Sequence, residues 1–295
     1  MTMSTYALHV PYKKLAGLLL LFVLVGLPLR AVEPTPAKAI YNTLSDADEL
    51  AIGRKAAEET DKQVPLLNSQ LLTAYVNHVG QKVAQASRRP EISYTFKIVN
   101  TDVVNAFSLP AGYVYVNRGL LDFVQNESEL AGVLAHEVGH VVAYHCMNDI
   151  ARRELVDQGL QKLKQTGVLD DQQTADLLQH YGGPLLLFAD RKFSREEESE
   201  ADMLGLYNEE RAGWDPEGLI SALARLSQFT GNPTLVEELL MNHPLPGERV
   251  KVLKAELRSN PAPKGLEKDS IAFRGAKLEL KALPPAPPPP QKPKE

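Results

Sequence analysis

The sequence predicts an α+β fold in which helices dominate and a small antiparallel sheet lies beside the helix that carries the chemistry. Three observations predict it. Apolar residues recur at helical spacing on both sides of the middle of the chain, and one stretch, Ile92 to Asn117, switches to the alternation of strands. Beyond Asn126, glycine and proline breaks cut the chain into helices of ordinary length.

The chain opens with Lys13 and Lys14 ahead of an apolar run from Leu15 to Leu29, followed by Arg30 and Ala31. That is the order of an export signal, and the run is shorter than the roughly 20 residues a spanning helix needs. Residues 1–31 are therefore expected to be a signal peptide or an N-terminal membrane anchor, with a linker over 32–44 marked by Pro34 and Pro36. The body is then exported, periplasmic or on the outer face of the membrane, and soluble if the signal is cleaved. Ser45 offers a helix N-cap, with Asp46, Asp48 and Glu49 in the first turn, so a helix is expected to about Asp61. Leu72, Tyr75, Val76, Val79 and Val83 mark a second. Tyr94, Phe96 and Ile98 then alternate with polar residues, Pro110-Ala111-Gly112 supplies a turn, and Gly112 to Asn117 is rich in strand formers. From Asn126 to about 257 the pattern is helical, broken at Gly182-Gly183-Pro184, Gly213 with Pro216, Gly231 to Pro233, and Pro244 to Gly247. A catalytic domain is expected over 45–260. A C-terminal segment fills 261–295, its proline-rich stretch from Ala282 to Pro293 too poor in apolar side chains to fold.

Composition narrows the function classes. The formal net charge of -5, with basic residues mixed among acidic ones, lacks the basic footprint of a nucleic-acid binder. A single cysteine, Cys146, rules out an intramolecular disulfide.

The chemistry lies in His136-Glu137-Val138-Gly139-His140, an H-E-x-x-H flanked by Leu134, Ala135, Val141 and Val142. Two histidines four apart share one face of a helix and reach a single zinc ion at about 2.0 to 2.1 Å. Glu137, one position on, is placed to take a proton from the attacking water without ligating the metal. A catalytic zinc needs a third protein ligand. The extended motif with a third histidine is not met, since Ala143 and Cys146 stand where glycine and histidine are required and His145 is one place out of register. The better source is Ser194-Arg195-Glu196-Glu197-Glu198-Ser199-Glu200-Ala201-Asp202, a helix that Ser194 can cap. Glu198 and Glu200 both remain candidates on residue type. The spacing of four to Asp202 suits Glu198, because Asp202 would share its face and hold a ligand histidine's second nitrogen.

With these blocks in view, the chain resembles the zinc metallopeptidases of family forty-eight: the HtpX-like, BepA-like and CaaX-prenyl-protease-type enzymes. The resemblance runs through Asn105-Ala106-Phe107 with Pro110 and Gly112, the H-E-x-x-H, Glu198-x-x-Ala201-Asp202, and His243-Pro244 with Arg249. It implies a gluzincin domain binding one zinc per chain through His136, His140 and Glu198, with Asp202 behind them. It further implies an extended substrate lying along a sheet edge, for which Gly112 to Asn117 is the expected strand. In BepA-like members the histidine of the last block approaches the zinc where substrate must lie, so His243 is expected to gate the site, with Arg249 as a partner for the oxyanion. HtpX-like members have four spanning helices that this chain lacks, and BepA-like members carry a helical-repeat domain after the protease. The function that follows is zinc-dependent endopeptidase action on misfolded or unfolded proteins outside the cytoplasmic membrane. Its partners are protein or peptide substrates and, through the N-terminal segment, a membrane. The alternative is a zinc-stabilised, latent binding or chaperone-like module, against which an intact Glu137 argues.

Overall fold

The structure, a computed structural model, describes residues 44–173, 192–243 and 246–287. The expected signal or anchor, most of the linker, the Gly182-Gly183-Pro184 break and the end of the proline tail lie outside these residues. Among the described residues, no helix is long and apolar enough to cross a membrane.

Ten helices surround one small sheet among the described residues. The first, α1 (Asp46–Gln63), begins at Ser45, whose hydroxyl accepts from the Asp48 N–H while the Asp48 carboxylate accepts from the Ser45 N–H. Helix α2 (Gln70–Ala86) buries Leu72, Val76, Val79 and Val83 on one face. Strands β1 (Thr95–Val99), β2 (Ala106–Leu109) and β3 (Tyr113–Asn117) follow, then α3 (Arg118–Phe123), α4 (Glu127–Val142) and α5 (His145–Gln165). The remaining described helices are α6 (Arg195–Arg211), α7 (Glu217–Ser227), α8 (Glu237–Asn242), α9 (Pro246–Ser259) and α10 (Ile271–Ala282).

The sheet corrects the sequence reading twice. It is mixed rather than antiparallel: β3 pairs antiparallel with β2 but parallel with β1, in the order β1-β3-β2. Alternating side chains fix which face is buried and carry no information on strand direction, whereas the tight turn at Pro110–Gly112 specifies only the β2–β3 hairpin. The second correction is that Gly112 to Asn117 is no edge, because β3 is the central strand. The outer side of β1 is occupied: the Asn77 and Gln81 side-chain amides donate to the carbonyls of Phe96 and Tyr94, and the Leu67 N–H donates to Ile98. The outer side of β2 pairs with no strand among the described residues.

Helix α4 is the centre of the molecule, with every residue buried except Val133. Such a helix needs partners on all sides, and α6, α7, α2 and β2 provide them. Small residues bring those partners close. A Cβ on Gly139 would stand 2.8 Å from the Ala201 carbonyl oxygen of α6, and one on Gly205 of α6 would stand 3.0 Å from the His136 backbone. The α4–α6 contact therefore depends on glycine at both positions, and it sets the two motif helices face to face. Within the expected C-terminal segment, α10 folds back onto the body and buries Phe273, Ala276 and Leu280.

Candidate active site

Local sequence fixes both motif helices. Asn126 caps α4 through the Glu129 N–H, and Arg89 donates to the Val141 carbonyl near its C-terminal end. Helix α6 starts with a capping box in which Ser194 and Glu197 each bond the other's backbone N–H.

Four donors converge between these helices. His136 Nε2 lies 3.0 Å from His140 Nε2 and 3.4 Å from His243 Nδ1. Glu198 Oε1 lies 3.4 Å from His140 Nε2 and 2.8 Å from His243 Nδ1. All four side chains are buried, and their donor atoms lie within 4.8 Å of one another. A tetrahedral ion with arms of about 2.0 to 2.1 Å holds its ligand atoms about 3.4 Å apart, so the spacing and the N/N/N/O chemistry fit one metal ion.

Glu137 follows His136 on α4 and is 2% exposed. Among the described residues its Oε2 has no hydrogen-bond partner, and its Oε1 faces His243 Nε2 at 3.9 Å. A buried carboxylate oxygen without a partner is costly to keep, which marks it as a group held ready for something the protein does not itself supply.

Behind the donors stands an ionic frame. Asp202 Oδ1 lies 3.0 Å from His136 Nδ1. The Arg249 guanidinium grips Asp202 with two bonds of 2.7 Å and makes a close ionic contact with Glu198 Oε2 that is off the line of a hydrogen bond. Arg249 thus faces two carboxylates, where the resemblance led us to look for an oxyanion partner.

Burial alone would raise the Glu198 carboxyl, but the charges of His243 and Arg249 and bonds from His140 and His243 outweigh it and hold it well below the usual range. Asp202 is likewise held low against its burial, chiefly by Arg249. Burial drives His140 well down, whereas Glu198 and Glu137 overcome burial at His243 and raise it.

Two contributors were not legible in advance. His145, out of register for ligation, lies with Nδ1 2.8 Å from His140 Nδ1 and Nε2 3.3 Å from Glu200 Oε2, so Glu200 serves the rear of the site. Phe193 stacks on the His140 ring at 3.8 Å and donates its N–H to the Asn242 carbonyl, tying the start of α6 to the residue before His243. A motif search for metal ligands has no term for either. Cys146 is buried and donates from sulfur to the Ser108 carbonyl, away from the donor cluster.

A buried helix bearing H-E-x-x-H, set against a second bearing E-x-x-A-D, is the architecture of a metallopeptidase. The sequence model of Peptidase family M48 matches residues 70–257, more than half of the chain, and the chain belongs to that family of metal-dependent peptidases, which act on protein substrates. It is 30% identical over 236 residues to the beta-barrel assembly-enhancing protease of Yersinia pestis, covering 76% of this chain and 47% of that one. It is 35% identical over 170 residues to the mitochondrial metalloendopeptidase OMA1 of Arabidopsis thaliana (58% of this chain, 33% of that one). To metalloprotease YcaL of Escherichia coli it is 26% identical over 222 residues, covering 74% of this chain and 83% of that one. The chain spans about half the length of the beta-barrel assembly-enhancing proteases it matches.

Proposed function

We propose that the chain is a zinc-dependent endopeptidase that cuts unfolded or misfolded proteins outside the cytoplasmic membrane, and that it rests in a latent state while His243 stands among the metal ligands. The observation that carries this reading is the tetrahedral spacing of His136, His140, Glu198 and His243 with the unpaired Glu137 carboxylate beside them. In the working enzyme His136, His140 and Glu198 hold one zinc ion per chain. When bound, zinc supplies a Lewis acid that polarises the scissile carbonyl and lowers the pKa of water toward about 7. Glu137 takes the proton from the attacking water and passes it to the leaving amine. Asp202 fixes the His136 tautomer, and Arg249 keeps Glu198 and Asp202 charged and in position.

An extended substrate would align along the outer side of β2 by backbone pairing. The Asn105 carbonyl faces β3, accepting from the Asn117 N–H, so alternation turns the backbone groups of Ala106 and Ser108 away from it. Ala106 lines the same cavity as His136 and Glu137. The basic, then apolar N-terminus supports export, with a membrane tether if it is retained. The relatives named for β-barrel assembly support a role in envelope protein quality control.

A second reading has one observation in its favour. Four protein donors make a closed set, which is how structural zinc is held. A latent binding module would need no reactive carboxylate, however, and Glu137 is one. Casein digestion with and without a chelator, run on zinc-assayed wild type, Glu137→Gln and His243→Ala, separates the two. Latent-enzyme chemistry requires chelator-sensitive cleavage that Glu137→Gln lowers at least about a hundredfold with zinc retained, and that His243→Ala raises. Zinc lost from His243→Ala together with the fold would favour the closed structural site.

A further inference from the structure

One cavity opens directly on the reactive carboxylate. His136 and Glu137 form part of its wall, and the rest is almost wholly aliphatic: Leu120, Val133, Leu219, Leu223, Leu226 and Leu239 among the described residues. Its free space is about 40 Å³. The only other charged group in its lining, Arg249, is engaged by Asp202 and Glu198, and His243 by Glu198. No charged group is left over to receive a charged guest, and an apolar wall offers water few partners. Leu120, Leu219, Leu223 and Leu226 are each under a tenth exposed, so the wall is set by the core and not by mobile surface side chains.

We propose that this cavity is the specificity pocket of the enzyme, and that it receives a bulky aliphatic or aromatic side chain from the residue just after the scissile bond. The inference rests on the peptidase reading of the site. The position follows from Glu137: the carboxylate that returns a proton to the leaving amine must lie next to the residue that carries that amine, and Glu137 lines the cavity. The chemical class follows from the wall, since a leucine or phenylalanine side chain loses water there at no polar cost, whereas a lysine or aspartate would be buried without a partner. Val133, four residues before Glu137 and on the same face of α4, and Leu226 of α7 set its width.

The test uses zinc-loaded full-length protein, wild type and His243→Ala, on peptides that differ only after the cleaved bond. Leucine or phenylalanine at that position should be cut at least about tenfold faster than alanine, and about a hundredfold faster than lysine, in kcat/KM. Val133→Phe should shift the ratio toward alanine, and Leu226→Ala toward phenylalanine, each by about tenfold or more. Cleavage with no preference at that position, with a charged preference, or with ratios that neither variant moves would overturn the pocket while leaving the peptidase reading intact. Failure of all chelator-sensitive cleavage would instead tell against the peptidase reading, and binding then decides the pocket. Peptide hydroxamates bearing leucine or lysine next to the chelating group should differ at least tenfold in affinity for the zinc-loaded protein; equal affinities would overturn the proposal.

Discussion

A second buried glutamate shows how differently one residue type is used a few turns away. Glu209 of α6 is fully buried, and Gly132 and Gly218 leave the room it occupies. One oxygen accepts the Leu219 N–H at 3.2 Å and the other has no partner among the described residues. Burial pushes this carboxyl well above its usual range, the Leu219 bond opposes the shift, and Asp215 and Glu129 reinforce it. A raised folded-state value means that the native protein keeps a proton the unfolded chain gives up, so this group lowers stability progressively as pH rises above about 4.3. The loss is complete above the folded value and absent below the unfolded one. Glu209→Gln should therefore match the wild type near pH 4 and exceed it at pH 7, by about 1 to 3 kcal/mol. Urea melts of both proteins at the two pH values measure it, and a pH-independent difference would contradict the assignment. The contrast with Glu198, held low by His243 and Arg249, is one of neighbours and not of depth.

At the scale of elements, the glycines between α4 and α6 do what no ligand can do for itself, which is to set the distance between the two ligand-bearing helices. Gly205→Ala places a Cβ 3.0 Å from the His136 Cα and backbone nitrogen, and backbone on backbone has no rotamer by which to yield. It should destabilise by about 1 to 3 kcal/mol and weaken zinc binding in competition titrations. Gly159→Ala on α5, with nothing within 4 Å of the new atom, should instead be neutral or stabilising by up to about 1 kcal/mol, with zinc affinity unchanged. Equal effects of the two on zinc would remove the spacing argument. Much of this level could be read from sequence, because it is written in local signals. Ser45 and Ser194 start their helices as capping residues, and Pro110-Ala111-Gly112 turns one strand into the next. The direction of β1, the docking of α10 and the service of His145 behind His140 are long-range facts, and no spacing within a segment encodes them.

At the scale of the whole molecule, the body does not end with the ligand-bearing helices. Helix α10 seals α2 and α3: Lys277 Nζ donates to the carbonyls of Leu121, Asp122 and Val124, and Glu127 gathers Tyr75, Trp214 and Ser270 from separate parts of the chain. Burial of Phe273 and Leu280 is worth about 1.5 to 3 kcal/mol each, against a total margin of about 5 to 15 kcal/mol. A chain stopped after Asn260 should lose about 3 to 6 kcal/mol in denaturant melts or fail to fold, and unchanged stability would mean that α10 is an appendage. The sheet carries a different consequence. Asn77 and Gln81 occupy the outer side of β1, which leaves β2 as the strand along which another chain can lie. Pairing through backbone groups asks of a guest only that some length of it be extended and unpaired, a condition that native domains seldom meet and denatured ones always do. On that footing the enzyme measures the folding equilibrium of its clients and hardly reads their sequence beyond one apolar side chain. A series of client variants sharing one cleavage site should be cut in proportion to their unfolded fraction, about tenfold faster for each 1.4 kcal/mol of stability lost.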